Sequence, residues 1–306
     1  MKTQQLENGV KVFTFSPSQN FDPLTASDSE LAKNGFPVPP ADPRHRERFN
    51  KVFTQLKGKF RYIEPAFRVN PRIQHRPRSK RDANSTESST NWSGAVVYAP
   101  PGDSFKWVQG DWVVPDVAAP PDNQPQYFCA SWIGIDGDGS GDVFQAGVES
   151  DVNSGGTTAA SIYPWWEWFP ISEVQITNLQ VNAGDMVTMV LCSEKGAGST
   201  TGTVFFSNRT TGESTSVGLT APSGTTLVGN SAEWIVEAPT VDGGQSALAD
   251  YGEVFFSVCD AYTVGGVTVD GGTGNNINMT AGSATVSDGI LITPAVVQCE
   301  YVGALP

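Results

Sequence analysis

From residue 91 onward the chain consists of short runs rich in Val, Ile, Thr, Phe and Trp, separated by clusters of Gly, Pro, Asp and Ser. Six of these runs read WSGAVVYA, FKWVQGDWVV, VQITNLQV, MVTMVLCSE, TGTVFFSN and EVFFSVCD. Short runs at such regular spacing are typical of an antiparallel sandwich or barrel. We therefore predict an all-β fold with two antiparallel sheets and no helix beyond residue 91.

The charges of the chain divide near residue 81. Residues 1–81 carry 16 Lys and Arg against 7 Asp and Glu, and residues 82–306 carry 3 against 25, which are net charges of +9 and −22. Such a division suggests either a nucleic-acid-binding arm or a segment that lies on its own acidic domain. Because an acidic domain repels phosphates, we do not expect a nucleic-acid partner. We predict a basic segment with a linker over 1–85 and the main domain over 86–306.

The basic segment contains one predicted helix. Asp42 and Pro43 suit the N-cap and the first helical position. The apolar residues that follow are spaced i, i+3, i+4 and i+7, at Phe49, Val52, Phe53 and Leu56. This spacing predicts one short amphipathic helix over about 43–57. Residues 1–40 are predicted to be extended, and Asp82–Thr90 to be an exposed linker.

Both histidines, His45 and His75, lie in the basic segment. Their absence from the acidic domain excludes Ser-His-Asp or Cys-His catalysis within that domain, and also a His-ligated metal site there. Its chemistry must use carboxylates, amides, hydroxyls and aromatic rings, a composition that suits work in acid. We expect no metal and no other cofactor. The four cysteines form no CxxC pair, and disulfides and buried free thiols remain equal alternatives.

Several segments of the acidic domain combine apolar residues with acids, an amide or tryptophan: NWSG, SWIGIDGDGSGDVFQAG, WWEWFP and AEWIVE. If they are strands, alternate residues point to opposite faces. One face of these strands is apolar, and the other carries Trp132, Asp136, Gln145, Glu167, Glu233 and Glu237. If these second faces belong to one sheet, they form an acidic cleft with aromatic walls, whereas Trp234 belongs to the core.

These blocks, in this order and with similar gaps through most of residues 91–301, resemble the signature of the glutamic peptidases called eqolisins. The resemblance implies a concanavalin A-like β-sandwich, and the basic segment would then be a pro-segment. It also implies a catalytic dyad at the matching positions Gln145 and Glu237. Asp136 and Glu167 match positions near that dyad and would support it through hydrogen bonds, and Trp132 would wall the cleft and hold the substrate.

The chemistry that the resemblance implies is the acid-driven hydrolysis of peptide bonds in polypeptides. Glu237 would act as the general base that activates water, and Gln145 would stabilise the oxyanion. The basic segment would inhibit the enzyme by covering the cleft, would loosen when acid neutralises carboxylates, and would be cut near Arg81–Thr90. We expect a monomer.

Other interpretations of the same residues remain open. A concanavalin-like sandwich could instead bind or hydrolyse glycans, with Glu167 and Glu237 as a carboxylate pair. The segment around Asp136 could be a turn or a calcium-binding loop, and the basic segment could assist folding only. No apolar run reaches the length of a membrane span, and we expect no membrane partner. We expect an extracellular protein, although residues 1–15 lack the apolar core of a signal peptide.

Overall fold

The computed structural model describes residues 1–18, 20–78, 86–122 and 124–303. The elements before residue 90 are β1 (Lys2–Gln5), β2 (Lys11–Thr14), α1 (Asp28–Lys33), α2 (Pro43–Leu56), β3 (Arg61–Tyr62), β4 (Phe67–Val69), β5 (Ile73–Gln74) and β6 (Thr86–Ser89). The next strands are β7 (Trp92–Tyr98), β8 (Phe105–Val113), β9 (Gln126–Ile135), β10 (Phe144–Asn153), β11 (Ser161–Trp168), β12 (Val174–Ile176), β13 (Met186–Ser193), β14 (Thr201–Asn208) and β15 (Glu213–Thr220). The last elements are β16 (Ser231–Glu237), β17 (Thr240–Val241), β18 (Gly244–Gln245), β19 (Glu253–Thr263), β20 (Thr268–Asp270), a 3₁₀ turn (Gly271–Thr273), β21 (Asn275–Ala281), β22 (Ala284–Thr293) and β23 (Val296–Tyr301).

The strands form two antiparallel layers, as predicted for a two-sheet sandwich. The front layer has the order β7–β16–β9–β10–β11–β12, and the back layer has the order β19–β8–β13–β14–β15. Strands β21, β22 and β23 connect the two layers along one side. Among the described residues, no helix is both long and apolar enough to span a membrane.

The core lies between the layers and is built from alternate residues of each strand. Phe144, Ala146 and Val148 of β10 pack there, as do Trp166 and Trp168 of β11. Trp234 of β16 also belongs to this core, as predicted. Because side chains alternate along a strand, the residues between these positions must point away from the core. They form the outer face of the front layer, which we call the cleft face.

The basic segment extends both layers and then crosses the cleft face. Strand β2 pairs with the edge strand β15 of the back layer, and β4 pairs with the edge strand β12 of the front layer. Phe49, Phe53 and Leu56 of α2 pack in one apolar cluster with back-layer residues that include Trp107. Strand β5 then pairs with β17, which follows β16 in the chain.

Two local predictions differ from the structure, and one alternative that the sequence left open is decided. Helix α2 lies where one helix was predicted, but residues 1–40 also contain α1. Its N-terminus is a capping box in which Ser27 and Glu30 bond to each other's backbone. Residues 86–89 of the predicted linker form β6, which pairs in parallel with β21, and residues 79–85 lie outside the described residues. The four cysteines are unpaired thiols, which is one of the two alternatives left open by the sequence.

Candidate active site

The cleft face carries two rows of side chains, because β16, β9, β10 and β11 pair without a shift in register. The first row consists of Glu233, Gly134, Gln145 and Glu167. Four residues further along each strand, the second row consists of Glu237, Ala130, Glu149 and Tyr163. The alternation predicted from the sequence therefore brings Gln145, Glu167 and Glu237 to one face, although they come from three strands.

Two glycines leave room for the indole of Trp132 between these rows. A Cβ at Gly134 would lie 2.8 Å from the Cζ3 atom of Trp132, and one at Gly147 would lie 2.5 Å from its Cβ. Carbon atoms in contact prefer separations of about 3.5–4.0 Å, so a larger residue at Gly134 would clash with the ring, and one at Gly147 would clash with the backbone and Cβ of the strand that carries it. The indole is buried and also packs edge-on against Trp92, with ring centroids 4.9 Å apart. Trp132 thus lies on the cleft face between the two rows, and its role in holding substrate stays a prediction.

Glu237 is held by two side chains of the front layer. The Nε1 atom of Trp132 donates a hydrogen bond to Oε2 at 2.9 Å, and Nδ2 of Asn91 donates one to Oε1 at 3.1 Å. Both donors approach the carboxylate from fixed positions on neighbouring strands or their ends. A carboxylate with a fixed orientation and accepted hydrogen bonds can serve as a positioned base.

His75 of the basic segment lies at the centre of the site. Its carbonyl oxygen accepts a hydrogen bond from Nε2 of Gln145 at 2.6 Å, and its backbone N–H lies 3.2 Å from each carboxylate oxygen of Glu167. In the imidazole, Nδ1 lies 3.2 Å from Oε2 of Glu237, and Nε2 lies 3.2 Å from Oε2 of Glu173. The side chains of Gln145, Glu167 and Glu237 therefore all contact one residue, His75.

Burial and charge act in opposite directions on the ionisable groups around His75. Burial by itself would lower the pKa of His75, but the hydrogen bonds to Glu173 and Glu237 outweigh it and raise the pKa well above the ordinary value. Burial raises the pKa of Glu237, and the hydrogen bonds from His75, Asn91 and Trp132 offset part of that rise. Burial also raises the pKa of Glu167 well above the ordinary value. The site thus favours a protonated imidazole that is surrounded by carboxyl groups.

Asp136 does not contact the other predicted site residues. Its carboxylate accepts hydrogen bonds from the backbone N–H groups of Val228 at 2.7 Å and Asn230 at 2.9 Å, just before β16 begins. Burial raises the pKa of Asp136 to about 7. The side chain of Asp136 therefore holds the loop that leads into β16, the strand of Glu237. Asp136 can support Glu237 only indirectly, through this loop.

Four residues of the site were not assigned a role from the sequence: Asn91, Glu149, Glu173 and His75. Asn91 stands in the NWSG block, and Glu149 lies four residues after Gln145 on the same strand, so both could have been found from block membership and strand alternation. Glu173 lies in the connection before β12 and carries no such signal. His75 comes from the part of the chain that the sequence separated from the acidic domain.

One group of side chains has the ligand types of a metal site. Ligand atoms of His75, Glu149 and Glu173 all lie within 4.8 Å of one another. The imidazole Nε2 is engaged with Glu173 at 3.2 Å and lies 3.8 Å from Glu149. In this structure that nitrogen is engaged with Glu173, and the three side chains form a polar cluster around the imidazole.

Comparisons with known proteins agree on one family. Residues 90–301 match the Peptidase A4 family. The chain is 32% identical over 201 residues to aspergillopepsin-2 of Aspergillus niger, an alignment that covers 60% of this chain and 67% of that protein.

Two solved structures have a similar fold. Scytalido-glutamic peptidase, solved with a transition state analog inhibitor, aligns with a TM-score of 0.59 and 24% identity over 70% of this chain and 98% of that one. Aspergilloglutamic peptidase from Aspergillus niger aligns with a TM-score of 0.51 and 26% identity over 57% of this chain and 99% of that one. These alignments confirm the predicted sandwich.

Proposed function

This chain belongs to the peptidase A4 family and is a glutamic-type endopeptidase, and on that premise we propose that Gln145 and Glu237 hydrolyse peptide bonds in acid. The observation that supports this pair most directly is the hydrogen bond from Nε2 of Gln145 to a peptide carbonyl oxygen, that of His75, at 2.6 Å. The imidazole of His75 also contacts Glu237, with Nδ1 lying 3.2 Å from Oε2. The amide of Gln145 and the carboxylate of Glu237 therefore contact the same residue of a bound polypeptide segment.

In the proposed reaction, the carboxylate of Glu237 takes a proton from water while the water oxygen bonds to the peptide carbon. The electron pair of the carbonyl moves to its oxygen, which the Nε2–H group of Gln145 stabilises. When the intermediate collapses, the carbonyl re-forms, the C–N bond breaks, and Glu237 gives its proton to the leaving nitrogen. The Oε1 atom of Gln145 is buried and has no hydrogen-bond partner among the described residues, which leaves it as an acceptor to orient the water.

The remaining site residues would assist this reaction without taking part in proton transfer. Trp132 and Asn91 hold the carboxylate of Glu237 in place. Glu167 accepts the backbone N–H of the residue whose carbonyl is bound by Gln145. In a substrate, this contact would fix the position of the backbone beside the scissile bond.

We also propose that the basic segment inhibits the enzyme until it is removed. His75 occupies the amide donor through its carbonyl and the proposed base through its imidazole. Its position is secured on both sides, by the pairing of β5 with β17 and by Arg78, whose Nη1 lies 2.9 Å from Oδ2 of Asp138. The predicted cut near Arg81–Thr90 falls on residues 81–85, which lie outside the described ones, or on the stretch around β6, and it remains a prediction.

The contact between the imidazole of His75 and the surrounding carboxyl groups weakens as the pH rises, not as it falls. Because the pKa of His75 is raised in the bound segment, its contribution to binding is complete below its ordinary pKa of about 6.5 and is lost as the pH rises through the raised value. His75 therefore does not by itself release the segment in mild acid. The loosening expected from the sequence must come from other contacts or from protonation of the carboxylates at lower pH.

Hydrolysis of denatured casein at acidic pH, in the presence of pepstatin, tests the proposed dyad. Glu237→Gln and Gln145→Ala should each lower the rate by about 100-fold to 1,000-fold, the usual cost of losing a base or an oxyanion donor. Glu194→Gln removes one exposed carboxylate outside the site and should match the wild type. Full activity in either dyad variant would reject the assignment. A wild-type protein that cleaves casein at no pH after removal of the basic segment would reject the whole function.

The comparisons name peptidases, and they favour peptides over glycans as the substrate. We propose polypeptides as its substrates and a monomer that acts outside the cell, without a metal or other cofactor. A mass measurement in solution by light scattering tests the monomer.

A further inference from the structure

The imidazole of His75 lies in a pocket whose walls combine one indole with several carboxyl groups. The ring stacks on Trp165 with centroids 3.7 Å apart and an interplanar angle of 5°. Beyond the contact to Glu237, the pocket presents Glu173 at 3.2 Å from Nε2 and Glu149 at 3.8 Å. His75, both glutamates and Trp165 are fully buried. The flat face of the indole and the two carboxyl groups near Nε2 form a pocket that suits a flat cation.

The backbone of the same residue identifies which part of a substrate would enter this pocket. Under the proposed function, the carbonyl that Gln145 binds belongs to the residue on the amino side of the scissile bond, which is called P1. The carbonyl of His75 occupies that donor, so the imidazole of His75 occupies the place of a P1 side chain. The pocket is then the subsite that selects P1.

We propose that Glu149, Glu173 and Trp165 form a P1 subsite that selects a cationic side chain, with protonated histidine as the preferred residue. This proposal rests on the proposed function, because it takes the orientation of the substrate from the role of Gln145. It concerns specificity and not proton transfer.

Physical reasons favour a cation over an apolar side chain in this pocket. Glu149 is fully buried, and its carboxyl group lies beside another acid, Asp151, and 3.8 Å from the imidazole of His75. Burying an ionised carboxylate beside an apolar group is costly, whereas a cation at 3–4 Å offsets part of that cost. The face of an indole attracts cations as well, and a planar imidazolium can lie flat on it. An apolar P1 residue would leave the two carboxyl groups without a partner.

The acids that face the pocket come from every element around it. Glu149 and Asp151 lie on β10, Glu167 and Tyr163 on β11, Glu237 on β16, and Glu173 in the connection before β12. Burial raises the pKa of Glu149 well above the ordinary value, and the neighbouring Asp151 raises it further while the charge of His75 lowers it. Burial also raises the pKa of Asp151 to about 6. A cation in the pocket therefore stabilises the ionised form of these acids, and selectivity for cations should weaken as the acids become protonated at low pH.

Quenched peptides that differ only at P1, with His, Lys, Gln, Phe or Leu, measure the selectivity as kcat/KM. The acid-activated wild-type protein should prefer His over Leu by about tenfold or more, the worth of one hydrogen bond between charged groups. Glu149→Gln and Glu173→Gln keep the side-chain shape and remove the charge. Each should reduce the preference for His over Leu about tenfold, and Glu194→Gln should leave that preference unchanged.

A second measurement on the full-length chain does not depend on activity. The imidazole of His75 can be titrated by NMR after isotope labelling, and His45→Gln removes the only other histidine signal. Glu149→Gln and Glu173→Gln should each lower the midpoint by about one pH unit. An unchanged midpoint together with an unchanged P1 preference would overturn the proposal. Normal midpoint shifts in a protein that cleaves no peptide would uphold the cation pocket but reject the proposed function, and equal hydrolysis of all five peptides would reject the subsite.

Discussion

Replacing His75 by Phe in the full-length chain tests whether this one side chain keeps the enzyme inactive. Phenylalanine keeps the ring and its stacking on Trp165, but it has no nitrogen to bond Glu237 or Glu173. Each of the two lost contacts, both 3.2 Å long, joins charged groups and is worth about 1.5–3 kcal/mol. Taking the lower value for each, the bound segment loses about 3 kcal/mol, which raises the population of the open cleft about 100-fold.

The assay is the initial rate of hydrolysis of a quenched peptide in mild acid, before any cleavage of the chain is visible by mass spectrometry. We expect the rate of His75→Phe to exceed that of the wild type by about 100-fold, and the added mutation Glu237→Gln to abolish the gain. Gln74→Ala is the matched control, because the neighbouring side chain donates to the carbonyl of Pro170 at 3.2 Å and accepts from Arg76 at 3.3 Å, and neither contact involves the proposed dyad. If the full-length His75→Phe protein hydrolyses the peptide no faster than the wild type, yet is fully active once processed, then the side chain of His75 does not keep the enzyme inactive.

Three further predictions concern the proposed base, the docking of α2 and the loop before β16. Trp132→Phe keeps a ring but removes the hydrogen bond to Glu237. We expect kcat to fall about tenfold while the thermal unfolding temperature changes little. An unchanged kcat would mean that the indole does not orient the base. His45 of α2 is buried against Asp260, and burial lowers its pKa to about 4, so docking of the helix weakens as the pH falls from about 6.5 towards 4. His45→Gln should therefore lower the pH at which the basic segment dissociates, as followed by size-exclusion chromatography of the processed protein, and an unchanged release pH would contradict this. Burial raises the pKa of Asp136 to about 7, so folding stability should decrease as the pH rises from about 4 to 7, by up to about 4 kcal/mol, and Asp136→Asn should flatten this dependence in denaturant unfolding curves.

Much of the cleft face followed from the alternation of side chains along strands. Phe144 and Ala146 had to share the face that packs in the core, and Gln145 had to point to the other face. The same rule placed Glu233 and Glu237 together and put Trp234 in the core, where it packs. Asp136 was the partial exception. It lies one residue beyond the end of β9 with a φ of +72°, and strand alternation no longer decides its contacts there.

The basic segment was less predictable, because its short elements depend on partners elsewhere in the chain. The apolar spacing of α2 is a local signal, and the helix lies where it was predicted. Helix α1 has only six residues, and its capping box between Ser27 and Glu30 was not recognised. Strands of two to four residues, such as β4 and β5, have too few residues for a periodic pattern. They form because the edge of a sheet or another short strand offers unpaired backbone groups.

The sequence by itself determined the sandwich, the division of charge and the residues of each strand that face away from the core, because all of these depend on composition and on a period of two. Only the tertiary structure decided that His75, distant in the chain and opposite in charge, fills the space between Gln145 and Glu237. That position results from the register of separate strands and from the course of the basic segment across them. Contacts over such distances are set by packing of the whole chain, and no local pattern encodes them.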